Sequence, residues 1–266
     1  GRMNDANVSF EFLYTRSFEK AFKLLEQIIA FNDKRKSEEK RLFEASLSQI
    51  SADDKVVVVS GKGWHEGVLG IVASRLARHF GKPAFVFSVF QDKAMGSGRS
   101  VGQIDIIELC ETQKELFLSY GGHKGAGGML IELENLSTLK ANLNEQCAQI
   151  PSEKFISNDE ILGILPLKSV DFDLLLMLDF FEPFGHKNPR PLFEFKNVCV
   201  KSAKTLGKEG RHLRLVLGDE NTTVQAVFFD FDTEIKSGEN ISFIANVSKN
   251  DFGGSINPQL VIKNLI

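Results

Sequence analysis

Residues 55–63, KVVVVSGKG, set four valines in a row and stop on glycine. A β-branched run that is short and uninterrupted suits a strand buried on both faces, and such a strand needs cover above and below it. The next segment, HEGVLGIVASRLARHFG, carries apolar residues at helical spacing and closes on Gly81, which reads as an amphipathic helix with a glycine cap. The alternation then continues. PAFVFSVF reads as a strand, MGSGRS as a short strand edge or loop, and IDIIELCETQKELFLSYGG as a helix; GMLIEL reads as a strand and NLSTLKANLNEQCAQI as a helix. Strands alternating with helices over 51–150 predict an α/β domain.

The flanking regions have other textures. From Phe18 to about Leu47 the apolar residues Phe22, Leu25, Ile28, Ile29, Leu42 and Phe43 recur at helical spacing around the charged stretch NDKRKSEEKR. That predicts a long connecting helix exposed in its centre. The chain opens on GRMNDANVSFEF, with no initiator methionine and within an element, so it is expected to be a piece of a longer protein, with 1–50 holding the end of a preceding domain and the connecting helix; the alternative is a tag remnant at Gly1. After Pro151, DFDLLLMLDFFEPFGHKNPRPLF predicts a short helix and a proline-punctuated linker over 151–192. From 193 to 266 the segments FEFKNVCVKSAKTL, HLRLVLGD, TTVQAVFFD, NISFIANVS and PQLVIKNLI predict five short strands, which suit a small antiparallel barrel of the OB type.

Composition excludes little. The net charge of -3 gives no reason to expect a polyanion partner and does not exclude one, since binding depends on where the charge lies. Cys110, Cys147 and Cys199 are far apart and odd in number, which fits neither a zinc pattern nor a disulfide framework. A reducing, cytoplasmic setting is the expectation. No apolar run is long enough to span a membrane, and no signal peptide is expected.

Three places in the α/β segment could carry chemistry. In GKGWHEG, Gly61 and Gly63 end a strand and a helix starts near His65. Backbone N–H groups there would suit an anion, with Trp64 and His65 beside it and Gly67 leaving the first turn approachable. The alternative is an ordinary strand–helix turn with Trp64 as packing. In GSGRS, the small neighbours Ser97 and Ser100 give Arg99 room to reach a phosphate; the alternative is a solvated arginine on a turn. SYGGHKGAGGML holds five glycines between Gly121 and Gly128, with His123 among them. Gly121 and Gly122 would admit a backbone close to a phosphate, and His123 could donate to it or move a proton. The alternative is a helix cap followed by a glycine-rich turn. Together the three places suit a phosphodiester or a nucleotide gathered at strand ends.

The barrel segment has its own signal. Eight Lys or Arg residues lie between Lys187 and Arg214, against Glu194 and Glu209. Lys187, Arg190, Lys201, Lys204, Arg211 and Arg214 are the candidate contacts to a single strand, with Phe193 and Phe195 as the intervening aromatics. The alternative is a solvated basic face.

GWHEGVLGIVASRLARHFGKPAFVFS, GSGRS and GGHKGAGG, in this order, resemble the substrate-binding DHHA1 domain of the DHH phosphoesterase superfamily, and within it the RecJ-type single-strand-specific exonucleases. GRMNDA resembles the end of that family's catalytic domain, LDFFEPFGHKNPRPLFEF its entry into an OB domain, and FGGSINPQLVIKNLI its closing strand. The resemblance implies a DHHA1-like sheet with flanking helices, preceded by a long connecting helix and followed by the OB-like barrel. Departures are small: Lys187 stands where the family usually has Gly, and Gly127 where Ala is common.

The implied activity is 5′→3′ hydrolysis of single-stranded DNA in repair and recombination, with two Mn²⁺ or Mg²⁺ ions on aspartates and histidines of an N-terminal domain. Implied partners are single-stranded DNA, and a single-strand-binding protein or a helicase. His65, His79, His123, His186 and His212 form no Asp-His-His or His-x-Asp pattern, and Asp53–Asp54 reads as a turn before a strand. This chain alone is therefore expected to hold DNA rather than cleave it. Arg99 and Ser97 would lie on a phosphate, with His123 near the scissile or terminal one. An inactive single-strand-binding or regulatory relative remains an alternative, as does a hydrolase of short oligonucleotides or cyclic dinucleotides.

Overall fold

A computed structural model describes residues 2–156, 160–185, 187–206, 210, 212–218, 221–229, 231, 233–252 and 254–266. The chain divides into two compact units, residues 1–158 and 159–266.

The first unit opens with helix α1 (Asn7–Tyr14) and the 30-residue helix α2 (Phe18–Leu47). Ser17 caps α2 by accepting from the Lys20 N–H. Its buried residues are Leu24 and then Leu42, Phe43 and Ser46, so the C-terminal third is its anchor. The charged centre is laced by pairs one turn apart, Arg35–Glu39 at 2.9 Å and Arg41–Glu38 at 2.8 Å, which support an exposed helix.

A five-stranded sheet follows in the order β1 (Val57–Lys62), β2 (Ala84–Phe90), β3 (Lys93–Arg99), β5 (Ala126–Glu132), β4 (Phe117–His123). Only β1 and β2 run parallel, joined through helix α3 (Glu66–Phe80), which ends on Gly81 at φ 61°. The valine run splits between two cores. Val57 and Val59 pack with Leu42, Phe43, Val68, Val72 and Leu76 under α2 and α3. Val56 and Val58 pack with Phe85, Phe87, Ile106, Leu139 and Leu143 under α4 (Ile106–Glu111) and α5 (Leu136–Ala148). Cover on both faces is what the unbroken valine run required.

Two local readings change. IDIIELCETQKELFLSYGG is not one helix: α4 stops at Glu111, a short 3₁₀ turn spans Lys114–Leu116, and β4 begins at Phe117. The register with β5 outweighs helical spacing here, since Phe117 and Tyr120 pack against the core as strand residues. MGSGRS is no edge or loop. Its residues 95–99 lie in β3, the middle strand, paired on both sides, and Ser100 follows the strand's end.

In the second unit, β7 (Leu192–Leu206), β8 (His212–Gly218), β9 (Thr223–Phe229), β11 (Ser255–Leu265) and β10 (Asn240–Phe252) form a ring that closes where β10 pairs with β7. This is an OB-type barrel. Its β9–β11 pair is parallel, with Gln225 beside Gln259, because a closed ring of odd strand number cannot alternate direction throughout. Phe195 and Phe243 stack at 5.1 Å in its interior, with Leu213, Leu215 and Leu217 around them. Phe195 is therefore core and Phe193 half-buried against it, which removes both from the set of aromatics available to a ligand. Strand β6 (Ile161–Ile164) pairs with β7 outside the ring, and helix α6 (Phe172–Asp179), capped by Asp171, packs Leu175 and Leu178 into the barrel core.

Cys110 and Cys147 are buried in the first unit. Burial pushes the Cys110 thiol up to about 12, with Asp105 adding to it, and the Cys147 thiol up to about 11. Cys199 is half-buried. A thiol reagent at pH 8 should modify Cys199 in the native chain and reach Cys110 and Cys147 only after unfolding, as peptide mapping would reveal.

Candidate phosphate-binding site

The lateral register of the first sheet places three of the expected site segments side by side. Arg99 on β3 pairs with Ala126 on β5, which pairs with His123 on β4. One row along, Ser97 pairs with Gly128, and Gly128 with Gly121. Residues two apart on a strand share a face. These two rows therefore lie on one face, and the row Gly98–Gly127–Gly122 lies on the other.

The glycines differ in purpose by face. A Cβ on Gly98 would meet the Ile106 Cγ2 at 3.0 Å and one on Gly127 at 3.2 Å, so these two make room for α4. Gly122, at φ 149°, has the Ala126 carbonyl oxygen 2.3 Å from where a Cβ would stand, and its lack of a side chain is a backbone requirement. Gly121 and Gly128 have nothing within 4 Å of a Cβ position. They form an open strip beside Ser97, with exposed His123 at its end.

Helix α3 packs on β2 and β3 and borders this strip. The Arg99 guanidinium lies against it. Its Nη1 donates to the Gly98 carbonyl at 2.7 Å and to the Ser97 Oγ at 2.9 Å, while Nη2 lies 2.5 Å from where a Cβ on Gly70 would be. Gly70 thus makes the space that Arg99 fills. Arg99 has no ion pair with a carboxylate among the described residues. Burial, and then the charge of Arg2, hold its pKa below the usual arginine value. A half-buried cation facing a second cation, with no carboxylate among the described residues to balance it, is an arrangement that an anion would relieve.

The GKGWHEG turn is filled by the protein itself. Trp64 is buried, and its indole occupies the position a Cβ on Gly61 would take, so its side chain is core packing and not a contact surface. The His65 Nδ1 caps α3 by accepting from the Gly67 N–H at 3.1 Å. That bond puts the proton of the neutral ring on Nε2. Gly67 does not leave the first turn open: the Arg2 carbonyl oxygen lies 2.0 Å from its Cβ position, and the Arg2 Nη1 donates to the Gly67 carbonyl at 3.3 Å. Ser100 turns away from the strip, its hydroxyl donating to the Ile104 carbonyl. SYGGHKGAGGML is neither a loop nor a helix cap. It is the β4–β5 hairpin, turning at Lys124–Gly125. Arg2 and Gly70 were missed at the sequence level. Arg2 lies 97 positions before Arg99, and Gly70 reads as an ordinary helix residue.

In the second unit Lys204 and Arg214 are cross-strand partners, and Lys201 stands at the bulge between Val200 and Ser202. Arg190 is engaged within its own unit, over the Phe184 ring at 4.5 Å and 3.3 Å from Glu182. Lys187 is exposed, and Arg211 lies outside the described residues. Among the described residues no three His, Cys, Asp or Glu side chains come together in a way that could hold a metal ion, and no helix is long and apolar enough to cross a membrane.

Comparison with known proteins places these features in a family. Residues 53–149 match the model of the DHHA1 domain, and residues 163–264 that of the RecJ OB domain. The single-stranded-DNA-specific exonuclease RecJ of Bacillus subtilis is 26% identical over 99% of this chain and 35% of its own length. The protein of the same name from Thermus thermophilus is 31% identical over 80% of this chain and 31% of its own. A crystal structure of Thermus thermophilus RecJ in complex with Mn²⁺ superposes with a TM-score of 0.78 at 26% identity, covering 100% of this chain and 39% of that one. The chain thus spans about a third of the length of these relatives. Its tandem of a DHHA1 domain and a RecJ OB domain makes it a RecJ-type C-terminal region.

Proposed function

We propose that this chain is the DNA-binding portion of a metal-dependent 5′→3′ exonuclease for single-stranded DNA. The observation that carries the reading is Arg99: half-buried, braced by Ser97 and Gly98, without a carboxylate partner among the described residues, and beside an open glycine strip. A phosphodiester laid on Gly121 and Gly128 can approach the sheet more closely than any side chain would allow. Ser97 and Arg99 then donate to its oxygens, Arg2 adds a second positive charge, and His123 sits at the end of the row, where it can donate to the same or the next phosphate. Mn²⁺ or Mg²⁺ would be held by parts of the parent protein outside the described residues, which form no metal site. This chain's own part is to hold and orient the strand. The barrel favours longer strands over dinucleotides, since it adds a second basic surface, with Lys204 and Arg214 side by side.

An anion should stabilise the wild-type chain by binding the folded state. Sulfate or inorganic phosphate should raise its thermal midpoint, and Arg99→Ala should abolish that rise. Without the anion, Arg99→Ala should leave the midpoint nearly unchanged, because it removes a charge that burial and Arg2 both disfavour. On a 5′-phosphorylated single strand, the same variant should lose about tenfold in affinity, the worth of one charge-assisted hydrogen bond. Equal anion effects in both proteins would rule out Arg99 as the phosphate contact.

Gly128→Val separates space from charge. The Cβ has open room at this position and valine suits a strand, so the fold should persist while affinity for the strand falls. Retained affinity would mean that no ligand lies on the strip. Binding should also weaken steeply with salt. If about four phosphates are neutralised, the log–log slope is roughly -3, at ~0.7 per phosphate. A flat salt dependence would remove the basic residues of the barrel from the contact.

A further inference from the structure

Helix α3 carries a glycine in its interior, where alanine would serve the helix better. Gly70 is buried, and its backbone is helical, outside the set of glycines with positive φ. No turn or left-handed conformation asks for glycine there. A glycine inside a helix costs conformational entropy and packs no side chain, so its use lies in what the missing Cβ leaves room for.

That room is taken by Arg99 and its brace. The three atoms nearest to a Cβ on Gly70 are the Arg99 Nη2 at 2.5 Å, the Ser97 Oγ at 3.1 Å and the Arg99 Cζ at 3.2 Å. All three belong to side chains of the candidate site. Close approach of helix to sheet for its own sake would put main chain or core side chains at this point instead. Gly67, three residues earlier, shows the contrast: its nearest atom is the Arg2 carbonyl oxygen at 2.0 Å, a main-chain atom that cannot step aside. A Cβ on Gly70 would meet the far end of a flexible side chain, which can.

The displaced group would be the working part of Arg99. Its Nη1 is spent on the Gly98 carbonyl and the Ser97 hydroxyl, while Nε and Nη2 donate to no described residue. Nε and Nη2 share one edge of the guanidinium, a fork that can grip two oxygens of one phosphate. Gly70 lies against Nη2, at one end of that fork. It supplies space rather than a hydrogen bond, since its carbonyl accepts from the Ser74 hydroxyl at 2.9 Å.

We infer that Gly70 is a positioning residue for the phosphate contact: by withholding a Cβ it seats the Arg99 guanidinium with Nη1 braced and the Nε–Nη2 edge free for an anion. The assignment rests on the reading of Arg99 as the phosphate contact, and adds the residue that sets where its charge lies.

The test is a double-mutant cycle on the whole 266-residue chain, with Gly70→Ala, Arg99→Ala and the pair. The probes are a 5′-phosphorylated oligothymidylate, read by fluorescence anisotropy, and inorganic phosphate, read by thermal shift. Gly70→Ala should lose about tenfold in affinity for the strand, as Arg99→Ala does, because a displaced guanidinium forfeits the same charge-assisted contact. The pair should lose no more than Arg99→Ala alone. Without phosphate, the midpoint of Gly70→Ala should stand at or above that of the wild type, since alanine is the better helix former and only a flexible side chain has to move. Inorganic phosphate should then raise it less than it raises the wild type. Arg99, out of its seat, should also react faster with an arginine-selective dicarbonyl, followed by peptide mapping. The inference is overturned if Gly70→Ala binds the strand like the wild type while Arg99→Ala does not, or if the pair loses clearly more than Arg99→Ala. A lowered midpoint in Gly70→Ala that Arg99→Ala does not restore overturns it as well, because the clash would then lie elsewhere. If Arg99→Ala itself binds like the wild type, the phosphate reading fails and the role of Gly70 fails with it.

Discussion

The hydrogen-bonded register of β3, β5 and β4 is the constraint on which the candidate site depends. It sets Arg99, Ala126 and His123 in one row and Ser97, Gly128 and Gly121 in the next, although these residues come from three strands. A slip of one residue in either ladder would exchange the faces. Gly98 and Gly127 would then lie on the open side, and Gly121 and Gly128 would face the core without a side chain to fill it. The packing of Ile106 over Gly98 and Gly127 guards against that slip, so the same contacts that close the core keep the open strip in place.

Glycine therefore serves opposite ends on the two sides of one sheet. Beneath, it lets α4 approach; above, it keeps a strip of backbone bare. The strip alone would be only an absence. Arg99 gives it chemical meaning, because its guanidinium is held where burial and Arg2 both act against its charge. Two backbone or hydroxyl acceptors brace it, and neither carries a full negative charge. Charge left unbalanced in a folded protein is costly, and an anionic ligand is the usual reason for it.

The barrel follows a related logic by other means. Its interior is filled by stacked Phe195 and Phe243 and by leucines, while Val227 is buried on the outer wall. Lys204 and Arg214 stand on that wall as cross-strand partners by strand alternation.

The amino-acid sequence by itself determined the period of most elements. The valine run, the glycine-capped helix, the long charged helix and the five barrel strands were legible because each carries its pattern within a dozen residues or so. GSGRS and GGHKGAGG were legible as unusual stretches, and their resemblance to a known family supplied their meaning. Tertiary structure decided the rest, where the deciding partner lies far along the chain. Pairing with β5 turned the helix-like LFLSYGG into β4, packing over Gly61 withdrew Trp64 from any ligand, and the carbonyl of Arg2 closed the first turn at Gly67. Whether a glycine is packing or open space depends on which face its strand presents. Strand pairing sets that face, and no local pattern carries it.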